Sequence, residues 1–142
     1  MTKIVTSSEE ETLEVAARLA ALLPRPAVLT LTGDLGAGKT VFSRGLARAL
    51  GVQGPISSPT FTIVQEYDIA EGSLYHMDLY RIHDDDEALA FGIDEFLNDK
   101  RAVCLIEWPQ RLSWLLDTEV IAVEMNHVSE FEREICLPDN LL

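Results

Sequence analysis

The stretch Ala27–Leu46 limits what this chain can fold into more than any other: an apolar run, a glycine-rich turn and a helix pattern follow without a gap. Ala27-Val28-Leu29-Thr30-Leu31-Thr32 has the apolar character of a strand covered on both faces. Gly33-Asp34-Leu35-Gly36-Ala37-Gly38-Lys39-Thr40 then fits G-x-x-x-x-G-K-[ST], the phosphate-binding loop. Val41-Phe42-Ser43-Arg44-Gly45-Leu46 opens an amphipathic helix. Strand, glycine loop and helix in this order aim backbone N–H groups and the positive end of a helix dipole at one point. Gly33, Gly36 and Gly38 can turn their N–H groups inward around a phosphate. The cradle expected from this pattern comprises Gly33, Asp34, Leu35, Gly36, Ala37, Gly38, Lys39, Thr40 and Val41. Lys39 supplies a mobile charge for terminal phosphates, and the Thr40 hydroxyl is the expected Mg²⁺ ligand.

The chain has 142 residues, enough for one domain with a core and too few for two, so residues 1–142 are read as a single unit. No apolar run approaches the roughly 20 residues that cross a bilayer, and the N-terminus lacks a signal-peptide pattern. The expectation is a cytoplasmic protein with no membrane partner. Cys104 and Cys136 each lie in an apolar run and match no metal spacing, which suits buried reduced thiols. Eleven Lys/Arg against 24 Asp/Glu give a net charge of −13, which repels nucleic acid unless the few cations share one face.

Along the chain, Lys3–Thr6 reads as a short strand, and Ser7 or Ser8 before Glu9-Glu10-Glu11 as a helix cap. That helix is expected to run to Leu23 with Leu13, Ala16, Ala17, Ala20 and Leu23 buried. The helix after the loop is expected to bury Phe42, Leu46, Ala49 and Leu50 and to stop at Gly51. Phe61–Ile69 and Ser73–Leu79 read as a hairpin, which implies a mixed sheet: an α/β fold of parallel and antiparallel strands flanked by helices. Thr118–Met125 and Phe131–Leu137 read as a second hairpin.

Two acids end strand patterns. Asp78 lies in His76-Met77-Asp78-Leu79-Tyr80-Arg81, and Glu107 closes Ala102-Val103-Cys104-Leu105-Ile106-Glu107-Trp108. Either can hold Mg²⁺ or orient an attacking water, and spacing does not divide the work between them. The hydroxyl-rich Gly54–Thr62 reads either as a switch-like loop in which Thr60 reaches the metal or terminal phosphate, or as a polar turn. Asp84-Asp85-Asp86-Glu87 reads as an exposed helix start.

GDLGAGKT at Gly33–Thr40, SPTFT at Ser58–Thr62, HMDLYR at His76–Arg81 and EWPQRL at Glu107–Leu112 occur in one order. Together these blocks resemble the TsaE (formerly YjeE) family, small ATPases of bacterial tRNA threonylcarbamoyladenosine biosynthesis. The resemblance implies ATP and Mg²⁺ as ligands and slow hydrolysis by the isolated chain. It also implies action through the TsaD and TsaB proteins, which then supply most of the tRNA contact. Carried onto this sequence, it makes Lys39 the phosphate lysine and Thr40 the Mg²⁺ hydroxyl. Thr60 becomes the switch-like threonine, Asp78 and Glu107 the catalytic and metal-site acids, and Trp108 a neighbour of the nucleotide. A small P-loop kinase and a nucleotide-sensing module remain alternatives. The kinase is disfavoured by acidic residues where an arginine-rich lid would be, and a GTPase by the lack of N-K-x-D.

Overall fold

The computed structural model describes residues 1–34, 36–57, 59, 62–112, 119–139 and 141. The elements in order are β1 (Thr2–Thr6), α1 (Glu9–Leu22), β2 (Ala27–Gly33), α2 (Lys39–Leu50), β3 (Val64–Ile69), β4 (Gly72–Asp78), α3 (Asp85–Ala90), α4 (Ile93–Leu97), β5 (Ala102–Glu107), β6 (Ile121–His127) and β7 (Arg133–Leu137). All seven strands join one sheet in the order β1-β7-β6-β2-β5-β4-β3. The middle strands β6, β2, β5 and β4 run parallel, while β3 pairs antiparallel with β4, β7 with β6 and β1 with β7. This is the mixed α/β sheet that the hairpin patterns imply.

Position in the sheet follows from residue type. β2 (AVLTLTG) and β5 (AVCLIE) are buried along nearly their whole length, as strands covered on both faces must be. β3 (VQEYDI) mixes exposed and half-buried residues and lies at an edge. α1 and α2 cover one face over Leu19, Leu29, Leu31, Phe42, Leu46 and Leu105. α3 and α4 lie on the other with Met77, Ile82, Ala88, Ile93 and Ile106. Tyr75 closes that second core, its ring stacked 4.5 Å from Phe96 and its hydroxyl donating to Asp99 Oδ2 at 3.1 Å.

The cap of α1 is Ser8, whose Oγ accepts from Glu11 N at 3.1 Å while Glu11 Oε1 accepts from Ser7 N at 3.0 Å. The buried stripe of α1 is rotated from the sequence expectation. Thr12, Val15, Ala16, Leu19 and Ala20 are buried, Ala17 is exposed, and Leu13 and Leu23 are half-buried. A polar residue enters the stripe because the Thr12 hydroxyl pairs with that of Thr6 at 2.8 Å, a partner no helical period reveals. In α2, Phe42, Leu46 and Leu50 are buried as expected, but Ala47 takes the place of exposed Ala49. α2 meets α1 as well as the sheet, and this turns its apolar face. The meeting point is Gly45: a Cβ there would lie 2.9 Å from Leu13 Cδ2 and 3.1 Å from Ala16 Cβ.

Other boundaries also shift. β3 begins at Val64 rather than Phe61, because Ile63 has φ of 65° and breaks the extended run; Phe61 itself lies outside the described residues. β6 begins at Ile121, and Thr118 lies outside the described residues. β7 begins at Arg133, leaving Phe131 in the turn and 70% exposed. Pro109–Arg111 forms a single 3-10 turn after β5.

Cys104 and Cys136 are free and buried, and burial pushes the Cys104 thiol up to about 12. β2 and β6 separate their strands, which puts them about 14 Å apart at ~4.8 Å per strand, beyond disulfide reach. No described helix is long and apolar enough to cross a membrane.

Gly45→Val inserts a branched side chain where the two helices touch. It is expected to destabilise the fold by about 1–3 kcal/mol, read as a lower denaturant midpoint at unchanged slope. An unchanged midpoint would contradict the close packing at this residue.

Candidate functional site

The site lies where the parallel strands end, around the N-terminus of α2. Residue 33 leaves β2 with no room for a side chain: a Cβ there would run into the Met125 carbonyl of β6. The loop therefore starts pressed against its neighbouring strand. Ala37 is fully buried, and its N–H donates to the Asp34 carbonyl at 3.1 Å. Gly38 then caps α2 with φ of 93°, a conformation costing roughly 1–2 kcal/mol for a residue with a side chain.

The three longest helices to leave a loop differ in how they begin. α1 and α3 start on Ser8 and Asp84, each accepting from a first-turn N–H. α2 starts on a glycine with no side chain to do this. Its first N–H groups, which lack acceptors within the helix, face the loop. Among the described residues no carboxylate pairs with Lys39, whose Nζ lies 5.9 Å from the Trp108 ring centroid. Nucleation of the helix thus leaves donors and one cation uncommitted at a single place, the condition for anion binding.

Three hollows surround this terminus. The first, about 320 Å³, is lined by Ser8, Glu9, Thr12, Gly38, Val41, Glu130, Phe131 and Arg133. Its volume lies in the range of small-molecule pockets. The second, about 60 Å³, is lined by Thr40, Ser43, Arg44, Ile56, Ser57, His76 and Glu107. The third, about 50 Å³, lies among Thr32, Gly33, Lys39, Trp108 and Gln110.

Asp78 and Glu107 are register partners at the ends of β4 and β5, so the two strand-end acids of the sequence are neighbours. Their surroundings differ. Glu107 shares the 60 Å³ hollow with Thr40, and its Oε2 lies 2.9 Å from His76 Nε2. Asp78 is half-buried, and its Oδ1 accepts from Tyr80 N at 3.0 Å. The Asp78 N–H donates to the Ile63 carbonyl at 2.8 Å, tying the end of β4 to the hydroxyl-rich loop. That loop is also fastened by Tyr67, whose hydroxyl accepts from Ser57 N at 3.1 Å and donates to Ser57 O at 3.0 Å. Thr60 and Leu35 lie outside the described residues.

Trp108 has φ of 59°, strained for a residue with a side chain. Its ring meets Tyr80 edge-on at 4.8 Å, and the Arg111 guanidinium lies 5.9 Å from it and 5.6 Å from Tyr80. The turns after β4 and β5 thus bring an aromatic pair and a second cation together beside Lys39.

Sequence reading missed the far wall. Arg133 Nη1 donates to the carbonyls of Ser129, Glu130 and Glu132 at 2.8, 3.4 and 2.9 Å, which folds the β6–β7 turn over Gly38. Only the strand order β7-β6-β2 brings that turn to the loop. No local signal at Phe131 or Arg133 announces it.

Comparison with known proteins gives this arrangement its family. The model of the family described as "Threonylcarbamoyl adenosine biosynthesis protein TsaE" matches residues 6–135. The chain belongs to the TsaE family. It is 43% identical over 130 residues to the tRNA threonylcarbamoyladenosine biosynthesis protein TsaE of Bacillus subtilis, covering 92% of this chain and 80% of that one. Its identity to the Haemophilus influenzae protein of the same name is 42% over 100 residues, covering 70% and 63%. The crystal structure of Bacillus subtilis YdiB superposes with a TM-score of 0.73 at 37% identity, covering 96% of this chain and 83% of that one. The TsaE match includes the loop and the residues that line all three hollows.

Gly38→Ala is expected to lower the stability of the ligand-free protein by about 1–2 kcal/mol through its left-handed backbone. The check is the thermal midpoint. An unchanged midpoint would mean that residue 38 does not hold this conformation.

Proposed function

We propose that this TsaE-family chain binds ATP with Mg²⁺ at the α2 terminus and hydrolyses it slowly alone, as a subunit of tRNA threonylcarbamoyladenosine biosynthesis acting through TsaD and TsaB. The observation that carries this reading is the uncapped start of α2, with Lys39 unpaired among the described residues, between a nucleotide-sized hollow and a small acid-lined one.

In this reading the N–H groups of Gly33–Val41 and the Lys39 ammonium hold the β- and γ-phosphates. The base and ribose take the 320 Å³ hollow, with exposed Phe131 at its rim as a stacking surface and the β6–β7 turn as its wall. The Thr40 hydroxyl and Glu107 carboxylate are hard oxygen donors around the second hollow, and Asp78 ends the neighbouring strand. Mg²⁺ keeps several waters and takes one or two protein oxygens beside nucleotide phosphates, a set that Thr40 and Glu107 would supply. Bound there, the ion would neutralise charge that develops on the terminal phosphate. Glu107 or Asp78 orients the attacking water, Thr60 orders its loop toward the phosphate, and Trp108 closes over Lys39.

The net charge of −13 leaves tRNA contact mainly to TsaD and TsaB and favours a partner with a basic face. A nucleotide-sensing module would share the site and differ in turnover.

ATP hydrolysis by the chain alone and after addition of TsaD and TsaB from the same organism tests the reading. Stimulation is expected, and it should vanish in Lys39→Ala, which should also bind ATP about 10- to 100-fold more weakly through loss of a charged hydrogen bond. Glu107→Gln should reduce hydrolysis while nucleotide binding persists. No stimulation in an otherwise active complex would favour the sensing module.

A further inference from the structure

We propose that His76 is a positioning residue that fixes Glu107 for the metal–nucleotide site, an inference that rests on the function proposed above. His76 lies on the β4 face shared with Leu74, in register with Leu105 of β5. Both of those leucines are buried, and His76 itself is 6% exposed. A leucine or valine would suit that position better by transfer energy alone, because a buried imidazole must find polar partners. The partner is Glu107, with Nε2 and Oε2 2.9 Å apart.

The contact matters as much to the acid. The Glu107 side chain is only 15% exposed, and a carboxylate so far out of water needs a donor. Among the described residues the His76 ring is the side chain that meets it. In the tautomer that carries hydrogen on Nε2 the ring donates to Oε2, and among the described residues no hydrogen bond engages Oε1. Both residues line the 60 Å³ hollow with Thr40, too small for a nucleotide and adequate for an ion with a water or two. A ligating carboxylate is oriented by the group that hydrogen-bonds its other oxygen.

The register partner Asp78 lacks this fastening. Its Oδ1 accepts from the Tyr80 backbone at the turn after β4, on a half-buried side chain. The two acids are thereby separated in kind: Glu107 is held by a buried ring in the sheet, and Asp78 by a turn that continues into exposed chain. The structure assigns His76 the task of selecting one Glu107 rotamer.

The test compares two amides that differ in reach. In His76→Gln the side-chain nitrogen extends to the place of Nε2, whereas in His76→Asn it stops near Nδ1. Thermal unfolding first matches the stabilities of the two variants. Mn²⁺ affinity is then read by electron paramagnetic resonance with ADP present, and kcat and KM for ATP with TsaD and TsaB added. His76→Asn is expected to lose about 10- to 100-fold in Mn²⁺ affinity and in kcat, with KM for ATP within about threefold of the parent. His76→Gln should recover most of both. If the Asn and Gln variants behave alike, the positioning role is wrong. If the parent protein shows no metal-dependent nucleotide binding, the site reading itself fails, a result distinguishable from failure of His76 alone.

Discussion

The Met125 carbonyl occupies the space into which a side chain at residue 33 would project, so β2 and β6 lie backbone to backbone where the phosphate loop begins. Much else depends on that contact. It holds the start of the loop against a buried sheet, so that the turn through Gly38 into α2 has a rigid base. It also draws the β6–β7 turn across Gly38, where Arg133 gathers three carbonyls and forms the far wall of the largest hollow at the loop. A side chain at this one position would part the strands and open the wall.

The site is assembled from groups left incomplete by the fold. α2 begins on a residue with no side chain to cap it, and among the described residues Lys39 meets an aromatic ring and pairs with no carboxylate. In a chain with 24 acidic residues, keeping acids away from this lysine requires placement. The nearest strand-end acids are restrained by other partners, Glu107 by His76 and Asp78 by the Tyr80 backbone. Charge that could have neutralised the loop is instead held beside it, where a cation chelated by a nucleotide could share it. The same net charge of −13 disfavours direct contact with nucleic acid.

Much of this was legible in order along the chain. The β2–loop–α2 unit, the β3–β4 hairpin, the mixed sheet and the placing of Asp78 and Glu107 at strand ends follow from local patterns: buried runs, glycine placement and turn residues. The four motif blocks pointed to the TsaE family, to which the chain belongs. The differences at Leu13, Ala17 and Ala49 share one cause. The helical period puts all three on buried faces because it reports apolarity and not the direction of a second neighbour. α1 and α2 pack on each other at Gly45 as well as on the sheet, and this turns both faces. Thr12 escaped notice because the hydroxyl that makes its burial tolerable belongs to Thr6.

By itself the sequence determined the chemistry available at the loop, since backbone freedom at glycine, the charge of Lys39 and the hydroxyl of Thr40 are properties of residues and their spacing. It also determined which strands would be central, because a strand covered on both faces must be apolar throughout. Tertiary structure alone decided which distant residues complete the site. Arg133 and Phe131 reach the loop through strand order, and His76 reaches Glu107 through the register of β4 on β5. Pairing across a sheet depends on hydrogen bonds between segments far apart in the chain, and the side-chain period of one segment carries no record of its partner's register.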